Sequence, residues 1–178
     1  MSPSDSEDVI LRESRRTLLA RRLLLHGVRT QFITRLTGLT DDRLRTLRKR
    51  LMISGKTRLR GHPRDALTLF LGTSLARAEA AAIAALLWRF EIPVEPQAPS
   101  IPTLVSFPFG ERLCETYEAY CACYPRTKVT LEEIIELRKK LARGDRMRLG
   151  KCRDCNCLLL IDRNNSSLEC LHCRAVPT

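Results

Sequence analysis

Two C-x-x-C steps near the C-terminal end, Cys152-Arg153-Asp154-Cys155 and Cys170-Leu171-His172-Cys173, constrain this chain more than any other feature. Fourteen residues lie between Cys155 and Cys170. Knuckles paired at that spacing bring four thiolates to one tetrahedral ion, and the segment between them folds as a hairpin. Leu158 to Ile161 is the apolar strand of that hairpin, and Asn164-Asn165-Ser166-Ser167 is a turn. The spacing predicts one zinc per chain, held by Cys152, Cys155, Cys170 and Cys173. A four-thiolate site leaves no open position for an activated water, so the ion is structural rather than catalytic. Cys157 and His172 stand beside these ligands and can each substitute, but the paired spacing favours the four named. A redox pair would need only one C-x-x-C in a βαβ setting, and no such setting is legible.

The eight cysteines of the 178 residues come with no basic n-region and apolar run at the start of the chain, so no secretory leader is read. That favours a reducing, cytoplasmic setting in which cysteines bind metal before they form disulfides. No stretch approaches the ~20 apolar residues of a membrane span, and no membrane association is expected. The apolar fraction of 44% argues against disorder. The net charge of +11 is local: residues 1–60 hold 15 basic and 6 acidic side chains, which accounts for +9 of it. A concentrated basic segment fits a polyanionic partner, most often nucleic acid; a solubilising surface is the plainer use of the same charge.

Apolar periodicity predicts a mostly α-helical chain: a multi-helix body over residues 1–147 and a four-cysteine, zinc-ribbon-like module over 148–178. A first helix spans 7–26, with Leu11, Leu18 and Leu25 repeating at seven residues and Ile10, Leu19, Leu23 and Leu24 widening the stripe. The Leu11–Leu18–Leu25 line is read first as core and second as a partner surface. A short helix follows over 29–37, then a third from the Thr40 N-cap to about Met52. After a basic loop over 54–62, Pro63 opens one long Ala-rich helix to about Phe90. Five prolines make 91–109 an extended crossover. Helices resume at 110–123 and 130–143. Cys114, Cys121 and Cys123 read as small core hydrophobes rather than as a second metal site.

Residues 28–52 have the cadence of a helix-turn-helix. Phe32 and Ile33 pack the first helix, Gly38 makes the turn, and Leu39, Leu44 and Leu47 fill the space between helices. Asp42, Arg45, Thr46 and Lys49 then point away from the Leu44–Leu47–Leu51 face, flanked by Arg43, Arg48 and Arg50. Arg43, Arg45, Arg48 and Lys49, with Lys56, Arg58 and Arg60 of the loop, are the candidate nucleic-acid contacts. Any helical hairpin with a glycine turn shares this spacing, and Asp41 and Asp42 oppose phosphate at the helix start. Gly55-Lys56-Thr57 is no phosphate loop, since Arg50 stands where the first glycine belongs. No nucleophile elbow is present, His26 and His62 are isolated, and the chain reads as a non-enzyme.

Taken in order, LLLHGVRTQFITRLTGLTDDRLRTLRKRL, SGKTRLRGHPRDALTLFL, AYCACYP and the four-cysteine module resemble the FlhC family, a component of the bacterial flagellar master transcription activator. Gly27-Val28-Arg29 sits where the family has a Gly-Ala-Arg step. The resemblance implies a helical protein holding zinc through Cys152, Cys155, Cys170 and Cys173. It also implies a complex with an FlhD subunit, typically a heterohexamer, that binds promoter DNA and activates transcription by RNA polymerase. The alternative is a zinc-stabilised regulatory adaptor or RNA-binding interaction protein without sequence-specific DNA readout.

Overall fold

The computed structural model describes residues 3–52, 64–94, 106–144, 146–164 and 167–175. These residues form eight helices and one two-stranded sheet: α1 (Pro3–Leu25), α2 (Thr30–Thr37), α3 (Asp41–Arg50), α4 (Ala66–Leu71), α5 (Ser74–Arg89), α6 (Phe107–Cys123), α7 (Leu131–Arg143), β1 (Met147–Lys151), β2 (Leu158–Asp162) and α8 (Leu171–Ala175). The chain is mostly helical and carries its cysteine cluster at the C-terminal end, as the sequence predicts. Among the described residues no helix is long and apolar enough to cross a membrane. The chain forms two compact units, Met1–Gly61 with Thr103–Cys114, and His62–Pro102 with Glu115–Thr178.

In the first unit α1 packs on α2 and α3. The face it buries is Leu19, Ala20, Leu23 and Leu24. The heptad line expected in the core lies outside: Leu11, Leu18 and Leu25 are 52%, 58% and 59% exposed. Leu18 is one residue, roughly 100° of helix, from Leu19, so the two stripes cannot both face inward. Gly110 helps to select the stripe. A Cβ there would stand 2.7 Å from Cδ2 of Leu19, so any larger residue would force the Leu19 side chain to shift where the start of α6 closes on that face. Gly38 closes α2 in the left-handed conformation (φ 70°), where an L side chain is strained, and its N–H donates to the Thr34 carbonyl at 2.8 Å. Leu39 and Leu44 are buried behind the turn, whereas Leu47 and Leu51 are only half-buried. Thr40 has the extended backbone of an N-cap, but its side chain makes no capping bond.

The second unit corrects the long Ala-rich helix. Residues 66–89 form two helices, broken at Gly72 and Thr73. Asp65 caps α4 by accepting from Thr68 N–H, and Thr73 turns extended and accepts from Ala76 N–H to start α5. Two new caps in place of one continuous ladder let α4 and α5 pack on each other. Pro63 lies outside the described residues. α6 starts at Phe107, so Pro108 sits in a first helical turn, where its missing N–H has no intrahelical partner to lose. The rest of the expected crossover, 95–105, lies outside the described residues, while Ile92 and Val94 are buried. α7 begins with a complete capping box between Thr130 and Glu133 and ends at Gly144 in the left-handed conformation. β1 and β2 pair antiparallel with Leu149 opposite Leu160, and α5 packs against β2.

Candidate functional site

The hairpin does not fill the segment between the knuckles as the spacing suggested: β2 pairs with β1, which precedes the first knuckle, so the antiparallel pair carries the first arm of the cysteine cluster in its loop. β1 ends at Lys151 and β2 starts at Leu158, so residues 152–157 form a tight loop between them. Cys152 N–H donates to the Cys157 carbonyl at 2.9 Å, and Asn156 N–H to the Cys152 carbonyl at 3.0 Å. Asn156 takes φ 58°, a left-handed conformation that asparagine tolerates better than most L residues. The second arm is tied to the first by Arg153 N–H donating to the Leu168 carbonyl at 3.0 Å. Arg153 also ion-pairs with Glu169 and, at 3.5 Å, with Asp154. The one-turn α8 then carries Cys173.

The Sγ atoms of Cys152, Cys155, Cys157 and Cys170 all lie within 4.8 Å of one another, and this group can hold a metal ion. Cys155 and Cys170 sulfurs are 3.6 Å apart. Backbone amides point at the sulfurs: Cys170 N–H donates to Cys152 Sγ at 3.4 Å and Cys173 N–H to Cys170 Sγ at 3.3 Å. These bonds favour the thiolate, the form that binds metal. The amide of Cys155 is the largest influence on Cys152, whose thiol is pulled down to about 6. The amide of Cys173 is the largest on Cys170, which is likewise lowered. Cys152 and Cys170 are buried, while Cys155 and Cys157 are exposed.

Of the four ligands predicted from spacing, Cys152, Cys155 and Cys170 stand together. Cys173 groups with Cys152 and Asp154. Cys157 completes the set of four, and the C-x-x-C-x-C spacing with asparagine before it was the signal for that. Among the described residues no metal group includes His172, Cys114, Cys121 or Cys123. Cys114 is buried, Cys121 half-buried and Cys123 exposed. In the AYCACYP stretch, Tyr120 is fully buried; its hydroxyl donates to Glu79 and shares a 2.7 Å hydrogen bond with Thr127.

The basic residues of α3 divide into two kinds. Arg43 ion-pairs with Glu13 of α1, and Arg48 donates to Thr30 Oγ1 at 3.3 Å, so both are engaged within the unit. Arg45 is exposed and lies 3.4 Å from exposed Asp42. Lys49 and Arg50 are exposed. Between α1 and α3 lies a depression of about 360 Å³ lined by both charges, with Glu13 and Asp42 facing Arg43 and Arg50. Lys56, Arg58 and Arg60 lie outside the described residues.

No protein-family model matches this chain, and no curated protein matches it.

Proposed function

We propose that this chain is a zinc-stabilised, cytoplasmic subunit of a DNA-binding transcription activator of the FlhC kind, working with an FlhD-like subunit and RNA polymerase at flagellar and motility promoters. The observation that carries the reading is the α2–Gly38–α3 hairpin with Arg45 and Lys49 on its outward face. A short helix pair with a basic outer face can enter a major groove or clamp phosphates. The ordered motifs that resemble FlhC, running from the hairpin to the cysteine knuckles, support the same assignment. The exposed Leu11–Leu18–Leu25 line supports a partner subunit, because a heptad of leucines left in water is stabilised when another helix covers it.

The metal in this reading is zinc in a ribbon-like module. Zinc–sulfur bonds of about 2.3 Å place tetrahedral sulfurs about 3.8 Å apart, close to the 3.6 Å between Cys155 and Cys170. The donor set is all thiol, and the amides of Cys170 and Cys173 favour the thiolates of Cys152 and Cys170. When bound, the ion supplies a cross-link between the two knuckles and no chemistry beyond that. The residues themselves set the geometry through Asn156 and the Arg153–Leu168 bond.

The test is a salt titration on a promoter duplex with Arg45→Ala and Lys49→Ala, alone and together, in complex with the partner subunit. Phosphate binding by these side chains predicts uniform weakening and a log–log salt slope flatter by ~0.9 per phosphate no longer neutralised. A base contact by Arg45 predicts a loss of ~1–3 kcal/mol on the cognate site and much less elsewhere. Unchanged affinity and slope in the double variant removes α3 from any DNA interface. A specific observation favours the second reading, an adaptor or RNA-binding protein: Asp42 sits within the outward face, and Arg43 and Arg48 are already engaged.

A further inference from the structure

Five thiols converge where a tetrahedral ion takes four. Cys152, Cys155 and Cys170 stand together in the four-thiol group. The remaining two, Cys157 and Cys173, approach from opposite arms. Cys157 is fixed by the loop itself, its carbonyl bonded to Cys152 N–H and its position set by the left-handed Asn156 before it. Its Sγ lies within 4.8 Å of the other three sulfurs. Cys173 rides on α8, its amide bonded to Cys170 Sγ, and its sulfur groups with Cys152 and Asp154. Sequence spacing therefore favours Cys173, while the fold groups Cys157 with Cys152, Cys155 and Cys170.

We infer that Cys157 and Cys173 compete for the fourth coordination position, so that the loaded site always keeps one thiol unbound and exchangeable. The inference rests on the metal reading of the cluster. Exchange leaves the charge of the site unchanged: the entering thiol gives up its proton as it binds, and the leaving thiolate takes one up. Its consequence is a site that yields its ion by ligand exchange. A chelator then removes metal by an associative step while the spare thiol holds the vacated position.

The full chain loaded with zinc is treated with iodoacetamide, and the labelled cysteines are located by peptide mapping. Cys152, Cys155 and Cys170 are expected to be protected, with Cys157 and Cys173 each partly labelled and their labelling summing to about one thiol per chain. In parallel, Cys157→Ser and Cys173→Ser are each expected to bind about one Co²⁺ with an unchanged four-thiolate charge-transfer band, and the double variant to fall to the weaker band of three thiolates. Full labelling of Cys157 with complete protection of Cys173, or the reverse, overturns the inference. So does a four-thiolate band lost in one single variant and untouched in the other. The mapping is done on the unaltered chain, so a variant that misfolds does not decide the matter. A wild-type chain that takes up neither ion overturns the metal reading itself, and the inference with it.

Discussion

Arg64 grips the carboxylate of Glu133 with two nitrogens, Nε at 2.5 Å from Oε1 and Nη2 at 3.0 Å from Oε2. Glu133 is 5% exposed and also accepts from Thr130 N–H in the capping box, so one buried charge serves a helix start and an ion pair. Arg64 itself is 56% exposed, which screens the attraction. Arg64→Ala is therefore expected to cost about 1–3 kcal/mol, mostly for leaving Glu133 under-paired, read as a lower midpoint in urea. Asp162 is the second such residue. The Arg146 side-chain hydrogen bonds are the first cause of its lowered pKa, with the Asn164 amide next. A carboxylate lowered in the folded state stabilises fully above its unfolded value, about 4, and loses that contribution as pH falls through the lower folded value. The stability of Asp162→Asn should thus fall less steeply than wild type as pH is lowered below about 4. Equal slopes in that range would refute the assignment.

At the scale of elements, α1 separates pattern from packing. Leu18 and Leu19 are neighbours in sequence, yet one is 58% exposed and the other 1%. Leu19→Ala is expected to cost ~2–5 kcal/mol and Leu18→Ala less than ~0.5 kcal/mol in the isolated chain. Comparable losses at both positions would place the heptad line in the core after all. Gly110→Ala tests the same packing from α6: the added methyl would stand 2.7 Å from Leu19 Cδ2, so the buried Leu19 side chain must shift, at an expected cost of ~1–3 kcal/mol. Thermal unfolding of the three variants reads all of these outcomes. The Gly72–Thr73 break shows the converse case, in which local chemistry prevails over composition. Seven alanines between 76 and 85 favour helix throughout, but a glycine followed by a threonine that can cap the next turn divides the run.

On the scale of the whole molecule, each compact unit has its own apolar core, so the two should respond separately to metal loss. Chelation is expected to raise amide exchange across β1, β2 and α8 while α1 to α3 stay protected, measured by hydrogen–deuterium exchange. Uniform loosening of both units would argue that the ion supports the entire fold. Much of this architecture was legible in the chain alone. Gly38 had to turn and residues 130–143 had to form a helix, because each depends on residues within a few positions of one another, and the paired C-x-x-C spacing pointed to a cluster across the fourteen residues between them. Tertiary structure decided the rest. It chose Leu19 and Leu23 over Leu11 and Leu18, because α2, α3 and the start of α6 pack on that side of α1. It engaged Arg43 and Arg48 within the unit, because Glu13 and Thr30 arrive from other helices. It brought Cys157 among the sulfurs, because the β1–β2 pairing folds residues 152–157 back on themselves. Local chemistry fixes what a segment can form; which face is buried and which ligand is near depend on groups distant in sequence, and only packing brings those together.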